Sequence, residues 1–167
     1  MNTETIIDNC GAEYQGSVLL RCRRRIKGGK YVIAPGTTAI AAYAFADNGS
    51  LLKVEIPPSV QVIGTHAFTG CCNLNTVRLP EGLKAIPPAA FMGCSQLYKV
   101  WLPQSLLIIG EGAFSGCQML GGISLPGRLE AIDSGAFAYT HIVHKKLPPS
   151  LLYVAGDAFY PMDDGTV

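Results

Sequence analysis

The chain has 167 residues, 49% of them apolar, with 13 Lys and Arg against 12 Asp and Glu and a formal charge of +1. Such a composition can bury a core within one domain, argues against a disordered tail, and gives no overall pull toward nucleic acid or an acidic surface. The longest candidate apolar run, Leu106 to Gly110, falls far short of the roughly 20 residues a membrane-spanning helix needs. Glu4, Asp8 and Glu13 interrupt the first twenty residues, so no secretory signal peptide is visible there, which places the chain in the cytoplasm if it is the full-length product.

Taken in chain order, residues 1–15 read as a polar tail. Residues 16–30, GSVLLRCRRRIKGGK, read as a capping hairpin whose covered face is Val18, Leu20, Cys22 and Ile26. Six of the thirteen basic residues, Arg21, Arg23, Arg24, Arg25, Lys27 and Lys30, fall in this stretch. On a cap, exposed charge discourages edge-to-edge pairing of strands. The alternative, an electrostatic footprint for an anion or nucleic acid, lacks the aromatic residues that usually accompany one.

From Tyr31 onward the chain repeats. Phenylalanine stands at 45, 68, 91, 114, 137 and 159, at intervals of 23, 23, 23, 23 and 22 residues, each directly after an alanine. Locked to it are Ile33, Ile56, Leu79, Leu102, Leu125 and Leu147, then Ile40, Ile63, Ile86, Ile109, Ile132 and Val154, and a further column of Leu51, Leu74, Leu97 and Leu120. A fixed period in the twenties is the mark of a solenoid, in which one unit cannot bury its apolar face until a neighbour stacks on it.

Within a unit, LYKVWLP alternates inward Val100 and Leu102 with outward Lys99 and Trp101, the period of a half-buried strand. Proline then ends the strand at the same height in each unit, at Pro57, Pro80, Pro103, Pro126 and Pro148. A parallel ladder across the units follows. A second short extended piece, such as LLIIG or LEAID, leads to the Ala-Phe corner and a turn at Gly70, Gly93 and Gly116, where glycine admits a left-handed backbone.

The joint pattern AFxGCxxLxxVxLPxxLxxIxxxAF, over about residues 31–167, resembles the BspA-type leucine-rich repeat family of bacterial, often surface-attached, proteins. The last unit, AFYPMDDGTV, departs from it by losing Gly-Cys-x-x-Leu. The resemblance implies a right-handed leucine-rich-repeat solenoid; with the residue pattern this gives a mainly β fold of about six 22–23-residue units behind a short N-terminal capping hairpin, and residues 1–167 read as one domain. It also implies a cell-surface or secreted location and a role in binding other proteins, with no catalytic residues.

Candidate chemistry is sparse. Cys71, Cys94 and Cys117 stand one period apart and point into one core slot, which favours small buried thiols over a disulfide; Cys10, Cys22 and Cys72 lie off that column, and no zinc spacing occurs. Of His66, His141 and His144, the last two are three apart and face opposite sides of an extended segment. GISLP at residues 122–126 lacks the second glycine of a nucleophile elbow, and GGKY at residues 28–31 lacks the earlier glycine and the Ser/Thr of a phosphate loop, so both read as turns. No acid–base pair, metal or cofactor set converges, so an enzyme is not expected.

Outward columns carry the functional expectation. One runs Glu55, Arg78, Trp101, Ser124 and Lys146, its neighbour Lys53, Thr76, Lys99, Gly122 and His144, and solenoids present such columns on a concave binding surface. Glu55, Arg78, Lys99, Trp101 and Lys146 are therefore the expected partner-binding residues. Trp101 either faces solvent as a binding hot spot or lies partly covered on Arg78 of the adjacent unit. A lesser apolar strip, Leu107, Ile108, Leu152 and Tyr153, reads as a dimer contact or as ordinary packing. A protein-interaction module thus leads, and a structural or adhesive segment that self-associates through its ends is the alternative.

Overall fold

The computed structural model describes residues 4–142 and 146–161. Among these residues thirteen short strands follow one another: β1 (Thr5–Ile7), β2 (Glu13–Gln15), β3 (Val18–Arg21), β4 (Lys30–Val32), β5 (Ala39–Ile40), β6 (Lys53–Glu55), β7 (Val62–Ile63), β8 (Thr76–Arg78), β9 (Ala85–Ile86), β10 (Lys99–Trp101), β11 (Ile108–Ile109), β12 (Ala131–Ile132) and β13 (Tyr153–Val154). A single 3-10 turn, Lys27–Gly29, precedes β4, and there is no α-helix among the described residues. Each repeat contributes one turn of a β-solenoid.

Two parallel ladders run along the solenoid, and both are shorter than the sequence pattern suggests. The first joins β4, β6, β8 and β10 in register, Lys30 beside Lys53 and Thr76 beside Lys99. It stops at the fifth unit, where Gly121 and Gly122 replace Tyr98 and Lys99 of the unit before and Gly122–Ser124 is not a strand. Two consecutive glycines offer no side chain to pack and lose the most backbone entropy on being extended.

The second ladder runs β3–β5–β7 and then resumes as β9–β11–β12–β13. In the intact parts, the amides of Gly64, Gly110 and Asp133 bond to the carbonyls of Ile40, Ile86 and Ile109 one unit earlier, at 2.8–2.9 Å. The corresponding residue in the unit between is Pro87, which has no N–H to offer Ile63. The ladder parts there, leaving a hollow of about 590 Å³ bordered by Val62, Ile63, Ala85 and Pro87.

What runs unbroken is the corner. Phe45, Phe68, Phe91, Phe114, Phe137 and Phe159 stack with ring centroids 5.0–5.4 Å apart and planes within 14° of parallel. The amides of the first five bond to the Ala67, Ala90, Ala113, Ala136 and Ala158 carbonyls of the next unit at 2.7–2.8 Å. Gly70, Gly93 and Gly116 have φ near +70°, as the turn requires, and the same register is held by Asp47 and Tyr139 at its ends, also at positive φ. A second left-handed column, four residues earlier, is Tyr43, His66, Ala89, Gly112 and Gly135. Its non-glycine members were not legible as turn residues.

The cysteine column is a polar seam inside the core. The thiols of Cys71, Cys94 and Cys117, all buried, donate to the carbonyls of Phe45, Phe68 and Phe91 at 3.0–3.1 Å. The same register is filled by Asn48 at one end, which donates to the Cys22 and Arg24 carbonyls, and by Thr140 at the other, which bonds to Phe137. All six cysteines are free thiols, with Cys10 and Cys72 exposed. Burial pushes the Cys71 and Cys22 thiols up to about 12. Cys94 is pushed up by the adjoining Cys117 thiol and by burial.

The N-terminal cap differs from the expected hairpin in position. β2 pairs antiparallel with both β1 and β3, so residues assigned to a polar tail carry two of its strands, and β3 then continues the second ladder by pairing with β5. The inward residue of β3 is Leu19, with Val18 and Leu20 only partly covered, because Leu19 lies opposite Ile40 in that register. Tyr31 pins the cap: its hydroxyl donates to Asp8 at 2.5 Å and lies 2.8 Å from the Tyr14 hydroxyl, and its ring meets Phe45 edge-on. Burial raises the pKa of both tyrosines, and for Tyr31 the Asp8 carboxylate raises it further.

Candidate functional site

The first ladder sets the site because its register puts residues 23 apart side by side, at about 4.8 Å per strand. Its outward side chains are Lys30 and Val32, Lys53 and Glu55, Thr76 and Arg78, and Lys99 and Trp101, while Tyr31, Val54, Val77 and Val100 point into the core. Trp101 is only half-exposed. The Arg78 guanidinium lies 4.8 Å from its ring centroid and the Lys99 ammonium 4.7 Å, so the ring is held by a cation from the adjacent strand and one from its own. Both cations are themselves exposed.

Glu55 occupies the other side of this face. It accepts from Lys30 Nζ at 2.9 Å and lies 3.5 Å from Lys53 Nζ. The hydrogen bond from Lys30, with its charge, holds the Glu55 carboxyl below its ordinary range. Between the two clusters is a hollow of about 440 Å³ lined by Lys53, Val54, Glu55, Ile56, Thr76, Arg78 and Trp101. A second, of about 320 Å³, continues past Arg78 and Trp101 onto Ile56, Leu79, Pro80 and Leu102, with Glu81 at its rim. The two share Arg78, Trp101 and Ile56.

Of the expected binding residues, Glu55, Arg78, Lys99 and Trp101 are brought together on this face. Lys146 is exposed beyond the end of the ladder, and Ser124 is exposed on the glycine-broken segment, so neither belongs to the cluster. His144 lies outside the described residues. Lys30, which in sequence falls within the basic cap, stands 23 residues before Lys53 and pairs beside it in this column. The rest of the basic run disperses: Arg21 pairs with Glu13 at 2.8 Å across the hairpin, and the Arg24 stem lies against Gly11. Among the described residues no group of three or more His, Cys, Asp or Glu side chains is placed to hold a metal ion, and no helix is long and apolar enough to cross a membrane.

The apolar strip is longer than expected and follows the second ladder. Outward Ile108 and Tyr153 are 42% and 55% exposed, with Ala85 and Ala131 in register beside Ile108, and Val62, across the break in the ladder, is 57% exposed. Leu152, in the loop before β13, is 85% exposed.

These features define a leucine-rich-repeat β-solenoid presenting a cationic, tryptophan-centred face. The family model for the BspA type leucine rich repeat region matches residues 38–163 in six copies, and the chain belongs to that family. No curated protein is significantly similar to it in sequence. Among solved structures it is similar to the T. pallidum leucine rich repeat protein, at 28% identity and a TM-score of 0.72 over 96% of this chain and 81% of that one. It also resembles the pneumococcal vaccine antigen PcpA, at 20% identity and a TM-score of 0.70, covering 94% of this chain and 44% of that one. A leucine rich cell surface protein from Faecalibacterium prausnitzii A2-165 matches at 22% identity and 0.63, covering 93% and 49%. The last two likenesses concern the fold, and the chain spans less than half of either protein.

Proposed function

We propose that this chain acts as a single non-catalytic solenoid domain that binds a protein partner on the outward face of its first ladder. Arg78, Lys99 and Trp101 are the anchors in this reading, Glu55 lies at the edge, and Lys146 contributes only as a distant charge. The observation that carries it is the half-exposed Trp101, braced by two cations beside a hollow on a rigid parallel ladder. Large aromatics and arginine on a preorganised surface are the residues that dominate binding energy at protein interfaces. Three lysines, an arginine, a tryptophan and a carboxylate already engaged by two of the ammonium groups suit recognition better than a reaction.

Affinity capture from bacterial and host extracts tests this, comparing the intact protein with a folded Trp101→Ala, Arg78→Glu variant. A partner retained by the intact protein should be lost from the variant, with a drop of about 30-fold or more expected for a hot spot worth at least 2 kcal/mol. Equal capture by both would reject this face. A second reading, self-association through the last turn, draws support from exposed Leu147, Leu152, Tyr153 and Tyr160. A mass by light scattering that rises with protein concentration would favour it.

A further inference from the structure

Resting on that reading, the charge balance of the ladder specifies the partner. Four cations, Lys30, Lys53, Arg78 and Lys99, stand outward on four strands against the single carboxylate of Glu55, in a chain whose net charge is only +1. Lys30 and Lys53 converge on Glu55, whereas Arg78 and Lys99 have Trp101 as neighbour and, among the described residues, no carboxylate within ion-pair distance. Carboxylates approaching Arg78 or Lys99 can therefore pair there without displacing an existing ion pair. The weakly hydrated guanidinium of Arg78, its plane braced by the indole, is suited to take one in bidentate fashion.

The two hollows differ in character. The first is bordered by the charged Lys53, Glu55 and Arg78 with Thr76, the second by the apolar Leu79, Pro80 and Leu102, and Ile56, Arg78 and Trp101 line both. Glu81 at the rim of the second accepts from the Gln104 amide at 3.1–3.2 Å and opposes a carboxylate there. We propose that the site takes an extended acidic segment of a protein, with carboxylates at Arg78 and at Lys99 and an adjoining apolar side chain in the hollow between Ile56 and Leu102. Nucleic acid fits less well: sequence-tolerant strand binding needs open aromatic faces for base stacking, and Trp101 is already flanked by two cations.

The one tryptophan of the chain reports directly on this site. A random-sequence peptide library is selected on the folded protein, and a recovered peptide is synthesised with its Glu→Gln counterpart and titrated against Trp101 emission. The expected peptides carry Asp or Glu beside an apolar residue and shift the emission saturably. They lose affinity on the order of tenfold on Glu→Gln, on Arg78→Glu and on raising the salt, and none on Arg128→Glu, an exposed cation away from the ladder.

Neutral or basic peptides that bind but are lost with Trp101→Ala would overturn the acidic partner while leaving the binding face intact. Peptides indifferent to both Trp101→Ala and Arg78→Glu, or no enrichment at all, would overturn the face and the inference with it. Tighter binding of oligothymidylate or of phosphatidylglycerol vesicles, displacing the peptide, would overturn the protein partner. Circular dichroism of each variant separates these outcomes from unfolding.

Discussion

Removing one ring from the middle of the phenylalanine stack tests whether the corner is the spine of this solenoid. Phe91 is fully buried, with Phe68 at 5.0 Å on one side and Phe114 at 5.3 Å on the other. Phe91→Ala withdraws about 150 Å² of buried apolar surface, worth about 4 kcal/mol at 25 cal/mol per Å². This falls within the range of about 3–5 kcal/mol for such truncations, in which the cavity left behind adds its own cost. Phe159, at the other extreme, is only half-buried, so Phe159→Ala should cost about 1–2 kcal/mol. Urea unfolding followed by far-ultraviolet circular dichroism measures both. A cost below about 1 kcal/mol for Phe91→Ala, or equal costs at the two positions, would refute a nearest-neighbour stack as the source of stability.

Two further predictions separate physical causes that look alike in sequence. Gly93 has φ +72° and only ordinary contacts around an added Cβ, whereas Gly110 has no positive φ but a Cβ there would lie 2.9 Å from Ile86 O and Pro88 N. Gly93→Ala should therefore cost about 1–2 kcal/mol of backbone strain, and Gly110→Ala should cost more, with loss of exchange protection at its own amide and those of its neighbours; thermal melts and hydrogen exchange check both. The thiols should divide by burial, Cys10 and Cys72 reacting quickly with a thiol reagent and Cys22, Cys71, Cys94 and Cys117 only on unfolding. Because the Cys71 pKa is raised to about 12 in the fold from 9.0, its contribution is fully present below pH 9 and lost as pH rises toward 12, reaching about 1.4 kcal/mol by pH 10. Stability that stays level between pH 8 and 10 would contradict this assignment.

The core of this protein follows from its sequence alone. Every inward column must fill the same slot in each turn, so Phe, Leu, Ile and Cys recur at a fixed interval, and the interval by itself names the solenoid and its buried residues. The prolines and the Gly70, Gly93 and Gly116 turn followed by the same logic. Where the ladders stop was also written in residues, at Pro87 and at Gly121 and Gly122, but only the register shows that Pro87 stands where an amide must donate to Ile63. Likewise, Tyr43, His66 and Ala89 occupy a left-handed column that their identities would not suggest, since the bonds between units hold the backbone there against local preference. The binding face is the least legible part. Its columns are free to vary, so no repetition marks them, and their chemistry depends on which neighbours the ladder brings together. Lys30 joins Lys53 on Glu55, and Arg78 and Lys99 close on Trp101, because parallel pairing places residues a full repeat apart within reach of one another.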